Sequence, residues 1–272
     1  MCILLTYVGA DDDDGDYSYI LASNRDEFYD RPAQNMAPWS GDSAIYGGRD
    51  LQPGCDGGTW LALSPLRHRI GVLLNIPDVD KENAKTRGCI VPNFVKSDLS
   101  MSDFVNSMKN YFKECNEFIL VSIELGKIPV TQTYCSATNK LENWTEECLG
   151  FGNCLPEEPL QKVLGAKRTM KEICTRLNKI DKKAELIEEL FNLLKSKERH
   201  LPDPQLQQRR PNAYEQLSSI FVEIPAAKYG TRTHTVILVT KTGHVDVIEL
   251  TLQSPIDLSN PNWQRTKFQF NI

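Results

Sequence analysis

The fold of this chain is decided at its start, where residues 1–32 read MCILLTYVGADDDDGDYSYILASNRDEFYDRP. The run from Cys2 to Val8 is apolar and β-prone, and the loop from Asp11 to Gly15 that follows it carries four like charges that favour solvent. Tyr17 to Ser23 is a second β-prone run, so the two runs predict an antiparallel hairpin. Four polar residues, Asn24-Arg25-Asp26-Glu27 (the polar tetrad), follow at the predicted end of the second strand.

The rest of the chain predicts blocks of strands separated by blocks of helices. The further predicted strands are 44–46, 59–63, 70–74, 118–124, 130–134, 219–222, 233–240, 245–250 and 266–270. The predicted helices are 89–95, 102–112, 160–177 and 183–194. This order lacks the strict alternation of a doubly wound parallel sheet. It predicts an α+β fold with two mainly antiparallel sheets and outer helices, in a single domain spanning residues 1–272.

Composition narrows the function classes. The chain has 272 residues, a formal net charge of −5 and no apolar run long enough to cross a bilayer. The negative balance argues against sequence-independent binding of nucleic acid, which needs a basic surface. The start of the chain lacks a basic secretory leader and is too acidic for a typical transit peptide, so we expect a cytoplasmic protein. The 8 cysteines form no CxxC pair, which predicts reduced thiols and no metal site.

Cys2 is the first candidate for chemistry. Because cysteine is small, removal of Met1 is expected, and the new terminus would carry a thiol and an α-amine on one residue. Such an amine titrates at about 7.7–8.0 and can accept a proton from its own side chain, as in N-terminal threonine enzymes. The alternative is a small buried side chain at the start of an apolar strand. Position alone favours that alternative.

The polar tetrad has two interpretations, and both stay open on pattern alone. It is either a solvated turn with a local arginine–carboxylate pair, or part of a site brought beside the chain start by the hairpin. In the second interpretation Arg25 stabilises the Cys2 thiolate or binds a ligand anion, and Asp26 holds the α-amine.

Several later residues are weaker candidates. Asn153 ends a predicted glycine-rich turn, residues 150–153, and its amide could donate to an oxyanion. Arg232 stands at the start of a predicted strand, His234 follows it, and Asn75 ends another strand. Taken singly, such residues are more often turn, edge or structural residues than functional ones.

Short sequence motifs along most of the chain resemble those of the NRDE-motif family, whose eukaryotic members are the transport and Golgi organization 2 homologues. The motifs that carry the resemblance are residues 1–3, 22–32, 57–61, 201–204, 229–233 and 243–245. The family is similar to N-terminal-nucleophile hydrolases, so the resemblance implies a four-layer αββα sandwich. It also implies a site of Cys2, Arg25, Asp26, Asn153 and Arg232, although Gly152-Asn153-Cys154 departs from the Ser-Asn-Ala word expected of relatives.

The resemblance implies three functions. The first is haem trafficking, in which the chain mobilises haem from haem-rich compartments such as mitochondria and passes it to acceptor haemoproteins, with haem as cargo and no required cofactor. The second is hydrolysis of an amide or acyl thioester by Cys2. The third is binding of acyl-coenzyme A or a lipid, linked to lipid homeostasis and secretory-pathway organisation. Ligand contacts are expected from Asn24, Arg25, Asp26, Glu27, Asn75, Arg232 and His234, and a mitochondrial pool is expected beside the cytoplasmic one.

Overall fold

The computed structural model describes residues 1–55, 57–77 and 80–272, without the side chain of Ser43. The chain divides into two compact units. The first unit comprises Met1–Asp30, Glu146–Gly152 and Pro156–Asn271, and the second comprises Arg31–Thr145, Asn153–Leu155 and Ile272. Each unit is built on its own sheet.

The strands and α-helices are numbered in chain order. The strands are β1 Ile3–Val8, β2 Tyr17–Phe28, β3 Ala33–Trp39, β4 Asp42–Asp50, β5 Leu61–Ser64, β6 Arg69–Asn75, β7 Phe118–Glu124, β8 Val130–Cys135, β9 Lys140–Trp144, β10 Cys148–Gly152, β11 Glu223–Ile224, β12 Tyr229–Thr240, β13 His244–Leu252 and β14 Trp263–Asn271. The helices are α1 Ile90–Lys96, α2 Met101–Glu114, α3 Gln161–Leu177, α4 Lys183–Leu194, α5 Pro204–Arg209 and α6 Tyr214–Leu217.

The sheet of the first unit has the strand order β10-β1-β2-β12-β13-β14, with β11 paired to β12. Every pairing in it is antiparallel. Strand β2 lies between β1 and β12, so Asn24 is opposite Ile3 on one side and His234 on the other. Ten of the twelve residues of β2 are buried, which its long apolar run favours.

The polar tetrad lies inside β2, which continues to Phe28, and the prediction that the strand ends at Ser23 is wrong. The backbone of the tetrad is paired with β12 through Asn24–His234, Arg25–Thr233, Asp26–Thr231 and Glu27–Gly230. Successive side chains of a strand point to opposite faces of the sheet. Asn24 and Arg25 therefore serve different faces.

Helices α3 and α4 pack on the sheet of the first unit, and Asp203 links the start of α3 to the start of α5. Its Oδ2 accepts from the backbone N–H of Gln161 at the start of α3, at 2.8 Å. Its Oδ1 accepts from the backbone N–H of Leu206 at the start of α5, at 2.9 Å. Both N–H groups belong to helix starts, where no intrahelical acceptor exists, so one buried carboxylate caps two helices. This explains why an aspartate stands between Pro202 and Pro204.

The second unit has an antiparallel sheet with the strand order β3-β4-β5-β6-β7-β8-β9. Its buried core joins the apolar sides of α1 and α2 to the sheet. Phe112 of α2 lies at the centre, with its ring 5.1 Å from Phe118, 5.4 Å from Tyr134 and 6.3 Å from Phe104 between centroids. These rings place the apolar side of α2, predicted from its helical spacing, against β7 and β8.

The structure confirms the α+β class and the two large antiparallel sheets. Besides the end of β2, two further local predictions are wrong. Residues 150–152 form the end of β10 and not a turn, because the whole of β10 pairs with β1. The predicted strand 219–222 is absent: Ser219 makes only an isolated bridge with Arg199, and the short strand β11 begins at Glu223. In the described part of the chain, no helix has the length and apolarity needed to span a membrane.

Candidate N-terminal cysteine site

The chain's N-terminal ammonium is held by Asp26. The Met1 nitrogen lies 3.2 Å from Asp26 Oδ2 and also donates to the Tyr229 hydroxyl. The other carboxylate oxygen, Asp26 Oδ1, accepts from Thr231 Oγ1 at 2.6 Å, and Thr231 Oγ1 accepts from the backbone N–H of Val222 at 2.9 Å. The Asp26 side chain is fully buried. A buried carboxylate needs such partners, so Asp26 is built to hold an amine at this position.

The Cys2 thiol lies beside the backbone of Asp26. Cys2 Sγ accepts from the Asp26 N–H at 3.4 Å and donates to the Asp26 carbonyl oxygen at 3.7 Å. Burial raises the pKa of the Cys2 thiol, and the neighbouring N-terminal ammonium opposes that rise. With Met1 in place, the Cys2 thiol therefore lies close to Asp26, the residue predicted to hold the amine. The thiol is in its protonated form at neutral pH.

The two candidate arginines are buried at the end of the same sheet. Arg25 Nη2 lies 3.4 Å from Glu27 Oε2, and Glu27 Oε1 accepts from the Phe28 N–H at 2.9 Å. Arg232 Nη1 donates to the Phe28 carbonyl oxygen at 3.0 Å, and its Nη2 donates to Ser254 Oγ at 3.5 Å. The structure therefore places both guanidinium groups near residues 27–28, with Arg25 charge-paired to Glu27.

Three further residues complete the surroundings of the terminus, and none of them is among the candidate residues predicted from the sequence. Lys162 of α3 is fully buried, and its Nζ donates to the carbonyl oxygens of Met1, at 3.2 Å, and Ser219, at 3.1 Å. Tyr229 and Thr231 contact the N-terminal amine and Asp26. Burial and the charge of Asp26 raise the pKa of Tyr229 well above its usual value, so its hydroxyl stays protonated. Tyr229 and Thr231 belong, like Arg232, to the motif at residues 229–233 that resembles the family. No motif or pattern in the sequence marks Lys162 as a site residue.

Asn24 and His234 form a separate pair. Asn24 Oδ1 lies 2.6 Å from His234 Nδ1, and Asn24 Nδ2 donates to the carbonyl oxygens of Leu194 at 2.8 Å and Ile220 at 3.1 Å. These contacts lie on the side of the sheet that meets α4, because Leu194 is the last residue of that helix. The structure therefore joins Asn24 to His234 rather than to the Cys2 thiol.

Asn75 and Asn153 lie in the second unit and contact each other there. Asn153 Nδ2 donates to the Asn75 carbonyl oxygen at 2.5 Å. Asn153 Oδ1 is buried and has no hydrogen-bond partner among the described residues. One amide hydrogen of Asn153 is thus already engaged, and the oxyanion role implied for this residue stays a prediction.

The chemistry available at the N-terminal site is that of a thiol, an amine, a buried carboxylate and two guanidinium groups. The amine and the carboxylate can exchange or hold a proton, and the guanidinium groups match carboxylate or phosphate oxygens. Among residues 1–55, 57–77 and 80–272, no three His, Cys, Asp or Glu side chains converge in a way that could hold a metal ion. All 8 cysteines are free.

Comparison with known proteins identifies the family and the fold. The family model for Transport and Golgi organisation 2 matches residues 1–254. Transport and Golgi organization protein 2 of Drosophila melanogaster is 36% identical over 262 residues, covering 93% of this chain and 92% of the relative. The Mus musculus homolog is 30% identical over 263 residues, covering 94% and 93%.

Among solved structures, penicillin V acylase from Agrobacterium tumefaciens superposes with a TM-score of 0.51 at 10% identity. The match covers 100% of this chain and 86% of the acylase. At this identity the likeness shows the fold alone, and it confirms the expected N-terminal-nucleophile-hydrolase-like α+β fold. By its sequence relatives, the chain belongs to the Transport and Golgi organisation 2 family.

Proposed function

We propose that this chain is a haem-trafficking protein that carries haem from haem-rich compartments such as mitochondria to acceptor haemoproteins. Family membership over residues 1–254 is the observation that carries the proposal, because the resemblance to this family implies that role. The names of the relatives refer to transport and Golgi organization. A role in secretory-pathway organisation is therefore part of the same proposal.

The chemistry of the N-terminal site supports a cargo that is bound weakly and released. Cysteine sulfur is a known haem ligand, and it ligates iron as the thiolate. Burial raises the pKa of the Cys2 thiol, so thiolate ligation at neutral pH costs free energy and is weak. Arg25 and Arg232 offer guanidinium groups that match carboxylates such as the propionates of haem. Weak ligation with anion recognition suits a carrier.

Haem titration with a matched pair of variants tests this proposal. Wild-type protein should give a saturable Soret change and transfer haem to an apo-haemoprotein, and Cys2→Ala should reduce both. Cys55→Ala is the matched control, because Cys55 is also half-buried but lies in the second unit. Binding no stronger than that of an unrelated acidic protein would reject the carrier function.

The second candidate function is an N-terminal cysteine hydrolase of an amide or acyl thioester. The ion pair between the N-terminal ammonium and Asp26, with Cys2 Sγ beside the Asp26 backbone, is the observation that favours it. After removal of Met1, the Cys2 sulfur would attack the acyl carbon while its proton passes to the Cys2 amine. The substrate's leaving group, an amine or a thiol, would take that proton from the Cys2 amine. Water would then hydrolyse the acyl group on the Cys2 sulfur and release the acid.

The hydrolase candidate needs a rearrangement that can be measured. Consecutive Cα atoms are about 3.8 Å apart, so the Cys2 amine must move by about one residue to reach the position that Met1 nitrogen now occupies at Asp26. A chain starting at Cys2 should be labelled at that residue by an acyl-thioester probe, and a chain retaining Met1 should not. If Cys2→Ala keeps every hydrolytic activity of the wild type, nucleophilic catalysis is excluded.

Acyl-coenzyme A serves as a comparison ligand in the same assays. If it is the cargo, Arg25→Ala should weaken its binding, because the phosphates lose a guanidinium partner, and Cys2→Ala should not. Haem as the cargo gives the opposite dependence on Cys2. Since Arg25 is expected to meet the haem propionates as well, the effect of Cys2→Ala is what separates the two ligands.

A further inference from the structure

A cleft of about 220 Å³ lies in the first unit beside the C-terminal end of α4, and Cys2 is not among its lining residues. It is lined by Lys195, Lys197, Phe221, His234 and Trp263, and we call it the aromatic cleft. The volume suits a small organic molecule of one or two rings.

The tautomer of His234 follows from its partner. Both donations of Asn24 Nδ2 go to backbone carbonyl oxygens, so the side-chain amide is fixed with Oδ1 toward His234 Nδ1. An amide oxygen only accepts, and Nδ1 must therefore carry the hydrogen. His234 Nε2 is then left with a lone pair. Burial lowers the pKa of His234 to about 3, so the ring stays neutral at physiological pH.

The lone pair of His234 Nε2 is unused. The side chain is fully buried, and Nε2 has no hydrogen-bond partner among the residues that the structure describes. Leaving a buried acceptor unpaired costs free energy, which a ligand carrying a donor would recover. The ring that bears this acceptor is itself part of the wall of the aromatic cleft.

The remaining walls are aromatic and cationic. The His234 ring is 4.8 Å from the Trp263 ring and 5.8 Å from the Phe221 ring between centroids, at interplanar angles of 22° and 29°. Lys197 Nζ lies over the Phe221 ring at 5.2 Å and pairs with exposed Glu223 at 3.3 Å. Lys195 is exposed and has no carboxylate partner in the described part of the chain. Flat rings and lysines together select a planar molecule with negative charge.

We propose that the aromatic cleft binds a small planar carboxylate that stacks on its rings, donates a hydrogen bond to His234 Nε2 and lies with its anionic end near Lys195 and Lys197. The lining of the cleft includes none of the residues that hold the N-terminal amine or contact the Cys2 thiol. The binding site is thus separate from the N-terminal site and independent of the proposed haem function.

Indole-3-acetate is a suitable probe, because it is a flat bicycle with one N–H donor and one carboxylate. Calorimetric titration of the full chain should give a Kd of about 1 mM or tighter. Nitrogen-15 spectra of the histidines should show unprotonated His234 Nε2 in the free protein and a shift of that resonance on binding. The 1-methyl analogue lacks the donor and should bind about tenfold more weakly, since one hydrogen bond is worth about 1.4 kcal/mol.

Surface variants keep the test independent of folding. Replacing His234 would also break its bond to Asn24, whereas Lys195 and Lys197 are exposed and can be changed without touching the core. The double variant Lys195→Ala, Lys197→Ala should bind the probe several-fold more weakly, and exposed Lys109→Ala of α2 should bind it as the wild type does. Absence of binding at millimolar probe, equal affinity for the 1-methyl analogue, or an unmoved His234 Nε2 resonance would each overturn the proposal.

Discussion

The buried ion pair at the chain start should dominate the stability of the N-terminal strand. Replacing Asp26 by asparagine keeps the shape and an oxygen that can accept from Thr231, but it removes the charge that faces the N-terminal ammonium at 3.2 Å. At that separation, an effective dielectric constant of about 20 gives an attraction of about 5 kcal/mol. Removing one partner of a buried pair typically costs about 3–5 kcal/mol, since the remaining charge stays buried.

A second aspartate of the first unit provides a matched control. Asp30 Oδ2 lies 3.2 Å from Lys228 Nζ, the same distance as in the Asp26 pair, but both side chains are exposed. Exposed pairs contribute less than about 1 kcal/mol because water and salt screen them. In a preparation that mass spectrometry shows to retain Met1, urea unfolding at neutral pH should therefore show a loss of about 3–5 kcal/mol for Asp26→Asn and under about 1 kcal/mol for Asp30→Asn. Equal losses for the two variants would refute the claim that burial makes this pair strong.

Three further predictions concern the caps, the buried histidine and the thiol. Asp203→Ala removes the caps of α3 and α5, each worth about 1 kcal/mol. It should lower the free energy of unfolding about twice as much as Ser100→Ala, which removes the cap of α2 alone. Equal losses in urea unfolding would argue against the double cap. Burial lowers the pKa of His234 to about 3. Below about pH 6.5, His234 therefore binds a proton in the unfolded state but not in the folded state. Stability should then fall by about 1.4 kcal/mol per pH unit from about pH 6.5 toward 3, a slope that His234→Phe should lose and that pH-dependent urea unfolding would reveal. Because burial raises the pKa of the Cys2 thiol, its alkylation by iodoacetamide, followed by peptide mass spectrometry, should be slow at neutral pH and still rising above pH 9; a plateau below pH 8 would contradict this.

The hairpin at the chain start and the general α+β class could be predicted from apolar runs and turn residues, because both signals are local. The extent of β2 could not. Four consecutive polar residues predict a strand end, yet Asn24 to Glu27 continue the strand because β12 supplies their backbone partners from more than 200 residues away. A single sequence carries no local signal for such pairing.

The candidate site, too, has parts that follow from local sequence and parts that depend on tertiary contacts. The closeness of Cys2 and Asp26 follows from the hairpin, since Ile3 is opposite Asn24, and the sequence suggested it. The partnership of Asn24 with His234 depends on the register of β2 against β12, and the buried Lys162 beside Met1 depends on how α3 packs. Both are tertiary features. The strand predicted at 219–222 fails because its carbonyl groups accept from side chains instead: those of Ser219 and Ile220 bind Lys162 and Asn24.

Native mass spectrometry of the protein mixed with haem tests the central claim, that this chain carries haem at its N-terminal site, most directly. Wild type and Cys55→Ala should each appear with one haem per chain, and Cys2→Ala should lose most of that species. A wild-type spectrum without bound haem, or a haem adduct that survives unchanged in Cys2→Ala, would contradict the claim.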